Sequence, residues 1–214
     1  MRGFQIKQRP SVSVVKYLSL VLVCVLMQAC AQKPLTASTK VNEVQQAPSV
    51  SSLLTPSNRA LFDQATQLIT DEAWVEAEKV LSEIEATQPN TAAVSTNLAL
   101  CVYRQGDTER AWALFKQIEQ QHPSYVDGYL VAAQLLQEEG AFKAANNRLL
   151  AAQELEPSSR IIAYNLGIIN ELYLHDYNAA INYYDRYLQL SSSMKDTKDY
   201  KLVAQWKKLL ERRL

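Results

Sequence analysis

The sequence predicts an all-α fold, a helix-turn-helix solenoid of about four repeats followed by one further helix. Two observations carry this. Small residues and prolines recur every 34 residues through residues 57–192, and an amphipathic stretch outside that register follows them. A repeat period of 20–50 residues marks stacked supersecondary units that bury their apolar faces against one another.

Before the repeats, the 214-residue chain opens with Arg2, Lys7, Arg9 and Lys16, and has no acid before Glu43. An apolar run follows from Tyr17 to Met27. It is shorter than the roughly 20 residues a bilayer span needs. A basic start and a short apolar core form the pattern of a secretory signal, with an uncleaved signal anchor as the alternative. The run closes on Leu26-Met27-Gln28-Ala29-Cys30, which resembles a bacterial lipobox. The resemblance implies a signal peptide over residues 1–29, cleavage before Cys30 and lipidation of that cysteine. The alternative is an ordinary cysteine in a coil. Several acyl chains on one residue give stable attachment where one does not. Ala31 and Gln32 follow, not the aspartate that resembles an inner-membrane retention signal in enteric bacteria. The expectation is a lipid anchor at the periplasmic face of the outer membrane.

Without residues 1–29 the chain holds 18 basic and 22 acidic residues, a net charge of −4. This disfavours a nucleic-acid binder, which needs a basic surface. Cys30 and Cys101 are the remaining cysteines. With Cys30 lipidated, Cys101 has no intramolecular partner and no disulfide framework is expected. Its setting, "NLALCVY", reads as core. Residues 31–56 are dominated by Ser, Thr, Gln, Pro and Ala without a persistent period, and read as a disordered tether behind Cys30. Fully stretched, the tether would reach ~90 Å; as a flexible coil it would average roughly 30 Å.

The repeats are explicit in the residues. Pro89, Pro123 and Pro157 are spaced by 34, as are Ala77, Ala111 and Ala145. Leu81, Phe115 and Leu149 match, as do Ala65, Ala99, Ala133 and Gly167, and Gly106 with Gly140. Period and residue types resemble the tetratricopeptide repeat over residues 58–192. The resemblance implies two antiparallel helices per unit. The small residues allow close helix approach, the glycines take turns that need positive φ, and the prolines end each second helix. The first unit has Glu72 where glycine is preferred. The fourth carries one extra residue, so that Ala180, Tyr184 and Tyr187 fall one place late, and Ser192 replaces its proline.

Residues 193–214 read as a capping helix with Leu202, Trp206 and Leu209 as one apolar helical stripe, widened by Val203 and Leu210. Its basic tail, Lys207, Lys208, Arg212 and Arg213, has two readings: cations that favour a helix C-terminus, or a docking patch for an acidic partner.

No catalytic constellation emerges. His122 and His175 have no partner at ligand spacing, and neither a nucleophile elbow nor a phosphate-binding loop is present. Glu138-Glu139 reads as a solvated helix end. The expectation is a protein without catalytic residues, metal or cofactor, taking no small-molecule substrate. The repeat resemblance implies that first helices line a concave face that binds an extended peptide or helix of another protein. Asn97 and Asn165 hold matching places in units two and four, where Asp63 and Val131 stand in the others. They look like asparagines that grip a ligand backbone in some family members; local capping is the alternative. The same face takes Phe62 and Thr66 in unit one, and Thr96, Leu100, Tyr103 and Arg104 in unit two. Leu130 and Gln134 join from unit three, and Tyr164 and Ile168 from unit four. The Tyr-rich fourth unit is a second candidate surface.

In layout the chain resembles pilotins of type IV pilus systems, repeat lipoproteins of tight-adherence pilus assembly and repeat proteins beside TonB-type energy transducers. The expected role is a membrane-anchored scaffold that assists assembly or positioning of a cell-envelope complex. The alternative is an adaptor that recruits peptidoglycan hydrolases or synthases.

Overall fold

The computed structural model describes residues 53–214. The signal peptide, Cys30 and most of the expected tether lie outside the described residues. Within them are nine α-helices and no strand. The first three units pair α1 (Pro56–Thr70) with α2 (Trp74–Thr87), α3 (Ala92–Arg104) with α4 (Thr108–Gln121), and α5 (Val126–Glu138) with α6 (Phe142–Leu155). The fourth pairs α7 (Arg160–Ile169) with α8 (Tyr177–Leu190), and α9 (Lys198–Glu211) closes the series.

The helix boundaries follow from local chemistry. Thr55 caps α1 by accepting from the Asn58 N–H at 3.3 Å, and Pro56 stands where a missing N–H costs nothing. Asp107, Asp176 and Thr197 cap α4, α8 and α9 in the same way. The second helices of units one to three stop two residues short of Pro89, Pro123 and Pro157. Between the helices of a unit, Gly106 and Gly140 have φ of 92° and 76°. Each turn closes with an N–H reaching back five residues, Asp107 to the Val102 carbonyl and Ala141 to that of Leu136. Unit one makes the same turn, Ala73 to Leu68, with Glu72 at φ 58° in the glycine's place.

The extra residue of unit four is taken up as a π-helical turn, Asn170–Leu174, at the end of α7. The closing bond there spans six residues, Asp176 N–H to the Asn170 carbonyl, and His175 at φ 55° takes the left-handed position.

The small-residue ladder is the spine of the core. Ala65, Ala77, Ala99, Ala111, Ala133, Ala145 and Ala180 are all inaccessible to solvent, with Leu81, Phe115, Leu149 and Tyr184 buried against them. Cys101 is buried and free, as its apolar setting predicts. Its thiol is pushed up to about 12, first by burial and then by the charge of Glu78.

Two expectations change. Leu54 is buried in the core of unit one, and the Gln88 amide donates to the Leu53 carbonyl at 2.6 Å. The packed region therefore begins ahead of the expected end of the tether, because an apolar pair precedes the cap. On α9 the buried stripe is Val203, Trp206 and Leu210, whereas Leu202 and Leu209 are 37% and 46% exposed. Both stripes satisfy the helical period, and α8 selects the one that meets Tyr184 and Tyr187.

Candidate partner-binding site

Within units one to three, first helices pack on first helices, α1 on α3 and α3 on α5. Second helices make no comparable contact with one another among the described residues. A stack drawn together on one side and spread on the other curves, and the first helices lie on its inner side.

Asn97 on α3 and Asn165 on α7 are both part-exposed. Among the described residues neither side chain caps a helix or forms a hydrogen bond. The local-capping alternative therefore finds no support. Each amide keeps a free donor and a free acceptor, the complement of a peptide group. Phe62, Thr66, Leu100, Leu130 and Ile168 are part-exposed and Gln134 is exposed.

Thr96 is withdrawn from the surface, whereas Tyr103, Tyr164 and Arg104 are part-exposed but engaged by neighbouring side chains. Thr96 is 3% exposed and offers no surface, because Gly128 of α5 lets the next unit close over it. Tyr103 packs edge-on to Trp112, with ring centroids 6.0 Å apart, and burial raises its hydroxyl's pKa. Tyr164 lies against Tyr187 at 5.6 Å and Trp206 at 6.3 Å, so the closing helix screens it in part. Arg104 is held by Glu138, whose carboxylate it grips with both terminal nitrogens at 2.5 and 2.9 Å.

That fork-to-fork pair joins equivalent positions of units two and three and neutralises both charges. The hydrogen bond from Arg104, above all, keeps the Glu138 carboxyl below the usual range. Glu139, expected as a solvated helix end like its neighbour, accepts from the Trp112 indole at 3.1 Å. Sequence reading missed Glu138 as part of this face, although the signal was there: Arg104 and Glu138 are 34 residues apart, opposite charges at one position of successive units. The inner face is thus an apolar and amide surface with its central arginine already satisfied.

Around the fourth unit, Tyr177, Tyr184 and Tyr187 pack in its core, and Tyr173 stacks on Phe142 with centroids 4.0 Å apart. Tyr183 remains part-exposed beside Arg186, which donates to the Pro157 carbonyl at 3.0 Å. A shallow groove lies there, lined also by Gln153, Glu154 and Asn182. His122 ends α4 and His175 sits in the turn after α7. Among the described residues no group of acids, histidines and cysteines is placed to hold a metal ion.

No family model matches the chain. A tetratricopeptide repeat-containing protein of Bacillus subtilis, YpiA, is 26% identical over 140 residues, 61% of this chain. The match spans only 32% of that protein's own length. A tetratricopeptide repeat protein from Parabacteroides merdae superposes with a TM-score of 0.58 at 19% identity, over 74% of this chain and 62% of its own. YrrB, described as a tetratricopeptide protein with an unusual peptide-binding site, superposes at 0.52 with 15% identity, over 71% of this chain and 74% of its own. The fold is a tetratricopeptide solenoid of four units with a closing α-helix.

Proposed function

We propose that this protein is a non-enzymatic scaffold whose first-helix face binds an extended segment of another protein. The observation that carries this is the pair Asn97 and Asn165, at one position of units two and four, with amides unused by the fold. A peptide backbone lying along the inner side would meet both, with Leu100, Leu130 and Ile168 supplying apolar contacts between them. YrrB, a tetratricopeptide protein of like fold with an unusual peptide-binding site, lends support. Paired charges at Arg104 and Glu138 favour a ligand read through backbone and apolar groups over a strongly acidic tail.

The finer reading adds an anchor. The order of basic start, apolar run, Ala29 and Cys30 supports a signal peptide and lipidation at Cys30, with the scaffold tethered to the periplasmic face of the outer membrane. Confinement to a surface raises the effective concentration for partners on it. The role that fits is assembly or positioning of an envelope complex of the pilus, secretion or TonB type.

The test is in-cell crosslinking and affinity capture from solubilised envelopes, comparing wild type with Asn97→Ala/Asn165→Ala. The expected result is a defined partner lost in the variant while its helical signal and melting temperature stay unchanged. A partner retained by the variant overturns the first-helix site. Unaltered processing and membrane association in Cys30→Ala overturns the anchor.

A further inference from the structure

The charge of this protein is segregated by position along the solenoid. Residues 53–194 carry 9 basic and 18 acidic residues, whereas residues 195–214 carry 7 basic and 3 acidic. The acid is heaviest at the opposite end, where residues 53–91 hold 7 acidic and 2 basic residues.

The exposed chemistry follows the same division. The outward face of α9, opposite Val203 and Leu210, presents Lys198, Lys201, Lys208 and Arg212 around Leu202 and Leu209, all exposed. Among the described residues no other helix covers this face; α9 packs on α8. Helix stability does not account for the cations. Those in the last turn suit the macrodipole, and Lys201 pairs with Asp196 at 3.7 Å, but Lys198 stands in the first turn, where a positive charge is unfavourable. In unit one, Asp63, Asp71, Glu72, Glu76 and Glu83 are exposed and in no ion pair among the described residues. Glu78, by contrast, is drawn into unit two by Arg110 and Gln105. Each end also shows bare apolar side chains, Leu53 and Val75 at 65% and 63% beside the acids, Leu202 and Leu209 beside the cations.

We propose that copies of this chain associate head to tail, the outward face of α9 on one copy docking against the acidic first unit of the next. The contact continues across molecules the stacking that joins units within one chain. It is heterologous, so it grows into an open filament or closes into a ring, according to the rotation per copy. Its two faces differ in sign, which orients the encounter and opposes tail-to-tail pairing.

The experiment is sedimentation velocity on the full chain in non-ionic detergent. Wild type is compared with two charge reversals, Lys198→Glu/Lys208→Glu/Arg212→Glu and Asp63→Lys/Asp71→Lys/Glu76→Lys. All six positions are exposed, and far-UV circular dichroism checks the fold of each variant. Wild type is expected to form species larger than the monomer as its concentration rises. The association should weaken at least tenfold between about 0.1 and about 1 M salt, where the screening length falls from about 10 to about 3 Å. Each reversal alone should be monomeric, having two ends of one sign, and mixing the two variants should restore association. A monomeric wild type up to about 100 μM at low salt, which bounds any affinity to weaker than about −5.5 kcal/mol, overturns the proposal. So does association indifferent to both reversals. Monomeric protein that floats with phosphatidylglycerol vesicles, and loses them on reversal of α9, also overturns it, assigning the basic face to a lipid surface.

Discussion

A Cβ placed on Gly167 would stand 2.4 Å from Cε1 of Tyr184, closer than any methyl group can approach a ring. Units one to three pair Ala65 with Leu81, Ala99 with Phe115 and Ala133 with Leu149 at these positions. Unit four exchanges the methyl for ring volume, and the ring uses it to reach a carboxylate. The Tyr184 hydroxyl donates to Glu171 at 2.6 Å, and Glu171 lies in the π-helical turn. Glycine, tyrosine and the extra residue are therefore one adaptation.

Gly167→Ala should destabilise the protein by ~1–3 kcal/mol or more through overpacking. Adding Tyr184→Leu, which rebuilds the pairing of units one and three, should return part of that loss. Urea unfolding of the two single variants and the double one would give a coupling of ~0.5–3 kcal/mol. Simple additivity would show that the two residues do not share the space.

The turns of units one and two make a second comparison. Glu72 and Gly106 hold the same place, at φ 58° and 92°. A Cβ at Gly106 would meet nothing within 4 Å, so replacing that glycine strains the backbone alone. Glu72→Gly should raise stability and Gly106→Ala lower it, each by roughly 1 kcal/mol. Shifts of equal sign in the two urea midpoints would contradict the assignment.

The fold was legible because its determinants repeat. Alanine, glycine and proline act through local sterics, so a period of 34 places helix contacts, turns and ends without any knowledge of packing. The extra residue of unit four was visible as a register slip. Its form as a π turn was not, since that depends on Tyr184 and Glu171 meeting across two helices. The stripe of α9 was misplaced for a like reason: Leu202 and Val203 both fit the period, and the neighbour decides. On the first-helix face, Leu100, Leu130 and Ile168 keep the part exposure that helix geometry gives them, whereas Thr96 and Arg104 are governed by the next unit, through Gly128 and Glu138.

Cys101 gives a chemical test of the core. It is buried and its thiol lies well above the ordinary range, at about 12, so little thiolate exists near pH 8. Alkylation followed by peptide mass spectrometry should leave Cys101 unmodified in native protein and label it fully in urea. Labelling in native protein at the rate of an exposed cysteine would mean that α3 opens without global unfolding.

Arg104 and Glu138 predict a pH dependence with a definite sign. The hydrogen bond from Arg104 lowers the folded pKa of Glu138. A depressed carboxyl binds fewer protons in the folded state than in the unfolded one. Its contribution is therefore present above the unfolded value, about 4.3 for glutamate, and is lost as pH falls through the lower folded value. The Glu138 side chain is 38% exposed, so solvent screening limits the pair to ~1 kcal/mol or less. Urea midpoints measured from neutral pH down to strongly acidic pH should fall more steeply for wild type than for Arg104→Gln, with the curves converging at the acidic end. Glu138→Gln should reproduce the shallower curve, because the same ion pair is removed from the other side. Curves that stay parallel would mean the pair joins units two and three in geometry without stabilising them.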